Sequence, residues 1–360
     1  MLNRSMLIKF LLSFFIFALI LAGAFWLMDY LGTGGFSLEI VLMFFGILVL
    51  YVLVSFFWFI VKPLRSVISQ MQLVMNGKKF KKLYTKRVDE VGVLANFFNQ
   101  MTQSFSEVSD DIQDRNRILD ELAVAAELQK EIFPDKVPEI DQLKIVAKNR
   151  PATELGGDSY DFIDTPEKLY MYVGDVTGHG VTAGLIMAMV NAMIDSFSST
   201  HNNARDIIVQ TNNHIKKYVK PSMYMTLVML CWDKLSNKMT FVGAGHEHIL
   251  VYKKDKGEID DIMSGGTALG MIEDASKTVV EKEIAVATGD LVILYTDGIT
   301  EARNENGELY SLERLKNAIL DYGQAYTAAG VSHHIAGDLA SFVGDESQID
   351  DMTLIVVEKT

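Results

Sequence analysis

Two apolar runs at the start of the chain constrain its fold more than any other feature. From Leu7 to Met28, and again from Phe36 to Val61, the sequence is almost continuously hydrophobic. Each run reaches the roughly 20 residues that a helix needs to cross a bilayer. A cleavable signal peptide is the competing reading of the first run, with Arg4 and Lys9 as its basic flank and Ala22, Gly23 and Ala24 as a weak cleavage site. The run is too long for a signal core, and a second span follows at once. The segment from Asp29 to Ser37 carries no Lys or Arg, whereas Arg4 and Lys9 stand at the first run. Lys62, Arg65, Lys78, Lys79, Lys81, Lys82, Lys86 and Arg87 all follow the second. The positive-inside rule then puts both ends in the cytoplasm, joined by a short external hairpin.

Charge is unevenly spread over the 360 residues, and the whole net charge of -13 arises after residue 140, where 19 Lys and Arg face 32 Asp and Glu. So acidic a region excludes a nucleic-acid partner held by its phosphates. The single cysteine, Cys231, excludes a disulfide framework and suits a reducing compartment. Its setting, "MLCWD", reads as the end of a buried strand.

Directly after the second run come "KPLRSVISQMQLVMNGKKF" and "VDEVGVLANFFNQM". Pro63 suits a helix start, Gly77 with its lysines marks a break, and Asp89 and Glu90 sit where the dipole of a new helix favours acids. As a set, residues 62–113 resemble a HAMP signal-relay module. Val91, Leu94, Phe98, Met101, Phe105, Val108, Ile112, Leu119, Leu122, Ala126 and Phe133 then fall on one heptad seam. That pattern predicts a parallel coiled-coil dimer ending near Pro134, with residues 114–140 as the linker. Arg115 and Gln129 are the polar seam positions. They are read either as tolerated surface residues or as points that loosen the coil, in which case replacing both with Leu locks activity in one state.

Past residue 140, "LKIVAKNRPA", "LYMYVGDV", "MYMTLVMLCW", "KMTFVGAG", "HILVYKK" and "LVILYTDG" predict strands, and "VTAGLIMAMVNAMIDSF" and "ARDIIVQTNNHIKKYV" predict helices. Antiparallel strands with grouped helices define an α+β layered domain. Asp158 follows Gly156-Gly157, Asp175 and Asp297 follow apolar strands, and Asp350 and Asp351 open the last strand-like run. One Asp-Gly is an ordinary turn. Several carboxylates crowded together repel one another unless cations sit between them, and hard oxygen ligands without a Cys or His cluster suit Mg²⁺ or Mn²⁺.

In their order, "GGDSYDF", "VGDVTGHGVTAGLIMAM", "GAGH", "GTALGM", "GDLVILYTDGITEA" and "DDMTLIVVE" resemble the metal-dependent protein phosphatases (PPM, or type 2C), closest to the bacterial SpoIIE-type branch. The resemblance implies an α-β-β-α sandwich of two antiparallel sheets flanked by helices over residues 141–360, following two transmembrane helices in residues 1–61. It implies hydrolysis of a phosphoserine or phosphothreonine ester at two divalent cations, Mn²⁺ or Mg²⁺. By position, Asp175 bridges the cations with the Val176 carbonyl as a further ligand, and Asp158 holds the first side. Asp297 and Asp350 hold the second cation, with Asp351 the alternative to Asp350. Thr177, His179 and Gly298 are expected around these ligands. Thr177 stands where eukaryotic relatives carry a His, and Arg150 is too far upstream to take the place of their phosphate-gripping Arg. His179 is read as a loop-shaping residue or a general acid, and His246 as a buried, hydrogen-bonded turn residue. The usual substrate of the branch is a phosphorylated STAS-domain (anti-anti-sigma) protein, and the setting implied is the inner membrane of a bacterium. The rival reading is a membrane-tethered relay whose domain only binds a partner. A nucleotide cyclase is excluded because Ser159-Tyr160 stands where Glu-Phe is needed, and "GDVTGHGV" lacks the Gly-Lys-Ser/Thr of a P-loop.

Overall fold

The computed structural model describes residues 5–32, 38–76, 82–83 and 87–360. The chain divides into two compact units, Met1–Arg117 and Ile118–Thr360.

In the first unit both apolar runs are helical, as α1 (Met6–Tyr30) and α2 (Leu38–Phe56), each within a helix long and apolar enough to span a membrane. Phe17 stacks on Tyr51 at 3.7 Å between ring centroids, and Ser13 shares a hydrogen bond with the Tyr51 hydroxyl. A π-helical turn (Phe57–Val61) leads into α3 (Lys62–Met75), with Pro63 in its first turn, where a missing N–H costs no hydrogen bond. The helix α4 (Glu90–Ile132) begins after Asp89, whose buried carboxylate accepts from Lys9 Nζ at 3.1 Å and Arg87 Nε at 2.9 Å. The expected break at Gly77, Lys78, Lys79 and Lys81, most of the hairpin, Arg4 and Lys86 lie outside the described residues. The helix α4 ends at Ile132, before Pro134, so residues 133–140 of the expected linker are not helical.

The second unit is built on two five-stranded antiparallel sheets. One runs in the order β1 (Leu143–Arg150), β10 (Met352–Lys359), β9 (Leu291–Tyr295), β6 (Ile249–Lys253) and β7 (Glu258–Ile262). The other runs β2 (Ser159–Asp164), β3 (Lys168–Val176), β4 (Met225–Asp233), β5 (Lys238–Ala244) and β8 (Glu281–Ile284). Alternate residues of a strand face opposite ways, and here both faces are buried. Leu169, Met171, Val173, Val228, Leu230 and Trp232 meet Ile249, Val251, Val292, Leu294, Ile355 and Val357 between the sheets. Tyr170, Tyr172, Leu227, Met229 and Cys231 point outward under α5 (Val181–Ser198) and α6 (Ala204–Ile215). Leu250, Tyr252, Ile293, Tyr295, Leu354 and Val356 pack beneath α8 (Ser311–Gly323) and α9 (Ala328–Val343). The result is the four-layer α-β-β-α sandwich that the motif order implied.

Although α5 is apolar and long enough to pass for a span, Ala183, Met187, Val190 and Ile194 are fully buried in the outer core. Strands β2, β7 and β8 and helices α8 and α9 had no counterpart among the segments read from sequence.

Candidate active site

Four chain segments deliver carboxylates to one end of the sandwich. Asp175 lies next to last in β3, opposite Thr226 of β4. The strands close up there because Gly174 has no side chain: a Cβ would come within 2.6 Å of the Thr226 carbonyl. Asp158 immediately precedes β2, whose Ser159 pairs with Gly174. In the other sheet β9 and β10 are neighbours, with Tyr295 opposite Leu354. Asp297, at the start of the short helix α7 (Asp297–Thr300), and the Asp350-Asp351 pair therefore leave the same end of adjacent strands. Gly298 permits this crossing, since a Cβ would sit 1.9 Å from the Asp351 carbonyl.

Asp158 is 2% exposed, and its Oδ2 accepts from the hydroxyls of Thr296 at 2.8 Å and Thr353 at 2.6 Å. One oxygen is thus fixed by the opposite sheet, and Oδ1 accepts no hydrogen bond among the described residues. Burial pushes its pKa up to about 8 against the pull of those two hydroxyls, with Asp351 and Asp297 adding repulsion. Asp175 is pushed higher, to about 9, by burial and then by the charges of Asp158, Asp297, Asp350 and Asp351. Burial, with Asp350, Glu301 and Glu247, raises Asp297 to about 6.

Asp350 and Asp351 differ in what surrounds them. The Asp351 carboxylate is taken up by the chain itself: Oδ1 accepts from Ala152 N at 2.7 Å, and Oδ2 from Gly157 N at 2.6 Å and Asp158 N at 3.3 Å. Asp350 is exposed, and its Oδ1 accepts only the Asp351 N–H, at 2.8 Å. Asp351 therefore clamps the loop that presents Asp158, while Asp350 keeps an oxygen free for the cleft. The Val176 carbonyl faces this loop, because a Cβ on Gly157 would lie 3.0 Å from it.

Thr177 is turned away: its hydroxyl donates to the Tyr224 carbonyl and accepts from the Tyr224 N–H, both at 3.2 Å. His179 is exposed on the loop between Gly178 (φ 86°) and Gly180 (φ 81°) and makes no hydrogen bond among the described residues. Among the described residues no three Asp, Glu, His or Cys side chains stand together closely enough to hold a metal ion as a group. The donor set still fits hard divalent cations, which keep several waters and need few protein oxygens.

Two further residues organise the site, and neither was assigned this task from sequence. Gln129, near the end of α4, is buried. Its Nε2 donates to the Gly156 carbonyl at 2.7 Å, and its Oε1 accepts from the Gly156 N–H at 3.0 Å. Of the two seam readings neither describes it: Gln129 is neither a surface residue nor a weak point in a coil, but a grip on the loop of Asp158. His246 spans the two sheets. Its Nε2 lies 3.1 Å from the Tyr295 carbonyl, which can only accept, so Nε2 carries the proton and Nδ1 accepts from the Thr226 hydroxyl at 2.9 Å. Burial pushes its pKa down to about 4, which keeps the ring neutral. It thereby ties the strand neighbour of Asp175 to the chain two residues before Asp297.

Two packed antiparallel sheets between helices, with carboxylates gathered at one end, define a PP2C-type phosphatase domain. Its fold matches the SiaA-PP2C domain of Pseudomonas aeruginosa, with a TM-score of 0.58 at 22% identity over 69% of this chain and 98% of that one. It also matches the PP2C phosphatase domain, with a fragment of the regulatory domain, of SpoIIE from Bacillus subtilis, with a TM-score of 0.52 at 16% identity over 61% and 64%. Residues 165–360 match the family described as Stage II sporulation protein E (SpoIIE), and the chain belongs to that family. It is 26% identical over 289 residues to the phosphoserine phosphatase RsbU of Bacillus subtilis, covering 79% of this chain and 85% of that protein. It is 27% identical over 301 residues to protein IcfG of Synechocystis, covering 75% of this chain and 46% of that protein.

Proposed function

We propose that this chain hydrolyses phosphoserine or phosphothreonine on a regulatory protein at the Asp158–Asp175–Asp297–Asp350 cluster, with Mn²⁺ or Mg²⁺ bound there. The observation that carries this reading is the position of Asp175, half-buried at the end of β3, where desolvation and then the charges of Asp158, Asp297, Asp350 and Asp351 push its pKa up to about 9. Such a cluster ionises together at neutral pH only when positive charge is placed among its members. Asp175 would serve both of two cations with the Val176 carbonyl as a further ligand, Asp158 would hold the first, and Asp297 with Asp350 the second. Bound cations supply a water acidified toward neutral pH and positive charge for the transferring phosphoryl oxygens.

The chain's own residues set the geometry for this. Thr296 and Thr353 hold Asp158 by one oxygen and leave the other without a hydrogen bond among the described residues. Asp351 fixes the loop beneath it, and neutral His246 keeps the two sheets in step. His179, exposed on the loop that follows Asp175, would act as the general acid that protonates the leaving seryl oxygen.

The substrate in this reading is a phosphorylated STAS-domain, anti-anti-sigma-like protein in a partner-switching pathway. The likeness to RsbU supports it. Residues 1–61 would anchor the chain in a bacterial inner membrane with both termini cytoplasmic. Residues 62–113 would relay a signal as a HAMP module, in a dimer formed through α4.

The test is phosphate release from an aryl phosphate and a phosphoserine protein by the purified chain, with Mn²⁺, with Mg²⁺ and with chelator, beside Asp175→Asn. Metal-dependent turnover that vanishes in the variant is expected. A folded chain that binds a partner but turns over neither substrate would instead make this a binding relay.

A further inference from the structure

Outside the carboxylate cluster, the second unit holds a cavity of about 510 Å³ between α9 and the edge formed by β1 and β10. Ile335, Leu339 and Val343 of α9 line it on one side, and Met352 and Leu354 of β10 on the other. It stays open because Ala336, Ala340 and Gly344, at four-residue spacing along one side of α9 and just past its end, present almost no side chain. The rim carries both signs of charge: Lys148 and Arg150, exposed at the end of β1, and exposed Glu346. Lys148 Nζ donates to the Ser332 carbonyl at 3.4 Å, whereas the Arg150 guanidinium has no hydrogen bond or ion pair among the described residues. These two cations stand out on a region with 19 Lys and Arg against 32 Asp and Glu.

The cavity shares chain segments with the site. Ile299, in its wall, lies two residues after Asp297; Met352 directly follows Asp351; and Arg150 is the cross-strand partner of Met352. The segments that present the Asp297 and Asp350 carboxylates therefore also form the near end of the cavity. Its size and apolar lining with a few polar groups at the rim are those of a built ligand pocket, roughly 300–1,000 Å³. At this rim the unpaired Arg150 offers a cation to an acidic side chain of a partner.

We propose that this cavity is a specificity pocket of the phosphatase, taking a bulky apolar side chain of the phosphoprotein substrate while acidic residues beside that side chain meet Lys148 and Arg150. The inference rests on the phosphatase reading above and adds to it how a substrate is chosen. The metal cluster reads only the phosphate, which every phosphoprotein shares. The pocket reads the sequence around it, and one buried Leu in such a pocket changes kcat/KM roughly tenfold or more.

The experiment uses the full chain in detergent, with p-nitrophenyl phosphate and a set of phosphoserine peptides in an Ala/Ser background. A single Leu, with an Asp beside it, is walked through the six positions on either side of the phosphoserine. Leu at one position is expected to raise kcat/KM about tenfold or more over the unsubstituted peptide. Ala340→Trp, an exposed helix position that fills the cavity, should abolish that gain and leave aryl phosphate turnover unchanged. Ala336→Leu gives the same readout with a milder filling. Arg150→Glu should remove the benefit of the neighbouring Asp. A flat profile across all positions, or a gain that survives both filling variants, overturns the pocket. Absence of aryl phosphate turnover in the unmodified chain would instead overturn the phosphatase reading, and the pocket's role with it.

Discussion

Replacing Gln129 with Leu would remove the bond from Nε2 to the Gly156 carbonyl, 2.7 Å, and the bond from the Gly156 N–H to Oε1, 3.0 Å. Nothing nearby can replace them. The amide is buried against Gly184 of α5, where even a Cβ would stand 3.3 Å from Nε2. Each backbone group left unpaired in such a place costs about 1–3 kcal/mol, so with two such groups the loop loses about 2–6 kcal/mol of its hold. At 1.36 kcal/mol per decade that is roughly a 30-fold shift toward a released loop at the low end and about 10⁴-fold at the high end. Because Asp158 rides on this loop, Mn²⁺ affinity should fall by about 30-fold or more, read by calorimetric titration of the purified chain. Gln129→Glu should do no better at neutral pH, since its second oxygen faces the Gly156 carbonyl, but should recover in part on acidification. Arg115→Leu, at the other polar seam position, should bind Mn²⁺ normally. A Gln129→Leu chain whose Mn²⁺ affinity stays within about twofold of the unmodified protein would refute the grip.

Three other outcomes follow from the same geometry. Asp158 and Asp175 have folded-state pKa values raised to about 8 and about 9, so the folded metal-free chain binds more protons than the unfolded chain above the ordinary carboxylate range. Its stability should fall as pH rises from about 4 toward 9, and Mn²⁺ should raise the thermal midpoint more at pH 8 than at pH 5, releasing protons as it binds; a metal effect independent of pH would contradict this. For His246, Asn keeps an acceptor near the Nδ1 position and Gln a donor near the Nε2 position, so each should lose about half the stability lost by Ala, roughly 1–2 kcal/mol in urea unfolding. Equal losses in all three would mean that the two bonds do not act separately. A cysteine placed at Gly32, between the two apolar helices, should react with a membrane-impermeant maleimide on intact cells while Cys231, buried in β4, should not; protection of residue 32 would reverse the orientation.

Much of the architecture was legible because it is written in local patterns. The two spans are long uninterrupted apolar runs, and β3, β4 and β9 are short apolar runs bounded by Gly, Asp and Asn. The strands that escaped notice are of another kind. β7 reads "EIDDI" and β8 "EKEI", mostly exposed edge strands whose composition suggests loops. β2 lay hidden inside the acidic motif, because the residues that distinguish it are those that carry the chemistry.

By itself, the sequence determined that two helices are apolar enough to cross a membrane, that the remainder is an acidic layered α+β domain, and which aspartates stand at strand ends. Each of these depends on neighbours within a few positions along the chain. Only the tertiary structure decided that α5 belongs to a core rather than a bilayer, since its apolar face joins one cluster with Tyr172 of the preceding strand β3, Met229 of β4 and Val242 of β5. The motif ending favoured Asp350 over Asp351, but only the structure showed a physical difference between them: Asp351 is spent on the amides of residues 152, 157 and 158, while Asp350 accepts a single N–H, that of Asp351. Gln129 with Gly156, Asp158 with Thr353, and His246 with Tyr295 are pairings across 27, 195 and 49 positions. No periodicity reports such contacts, because the packing of two sheets, and not the spacing of residues along a strand, brings those atoms within bonding distance.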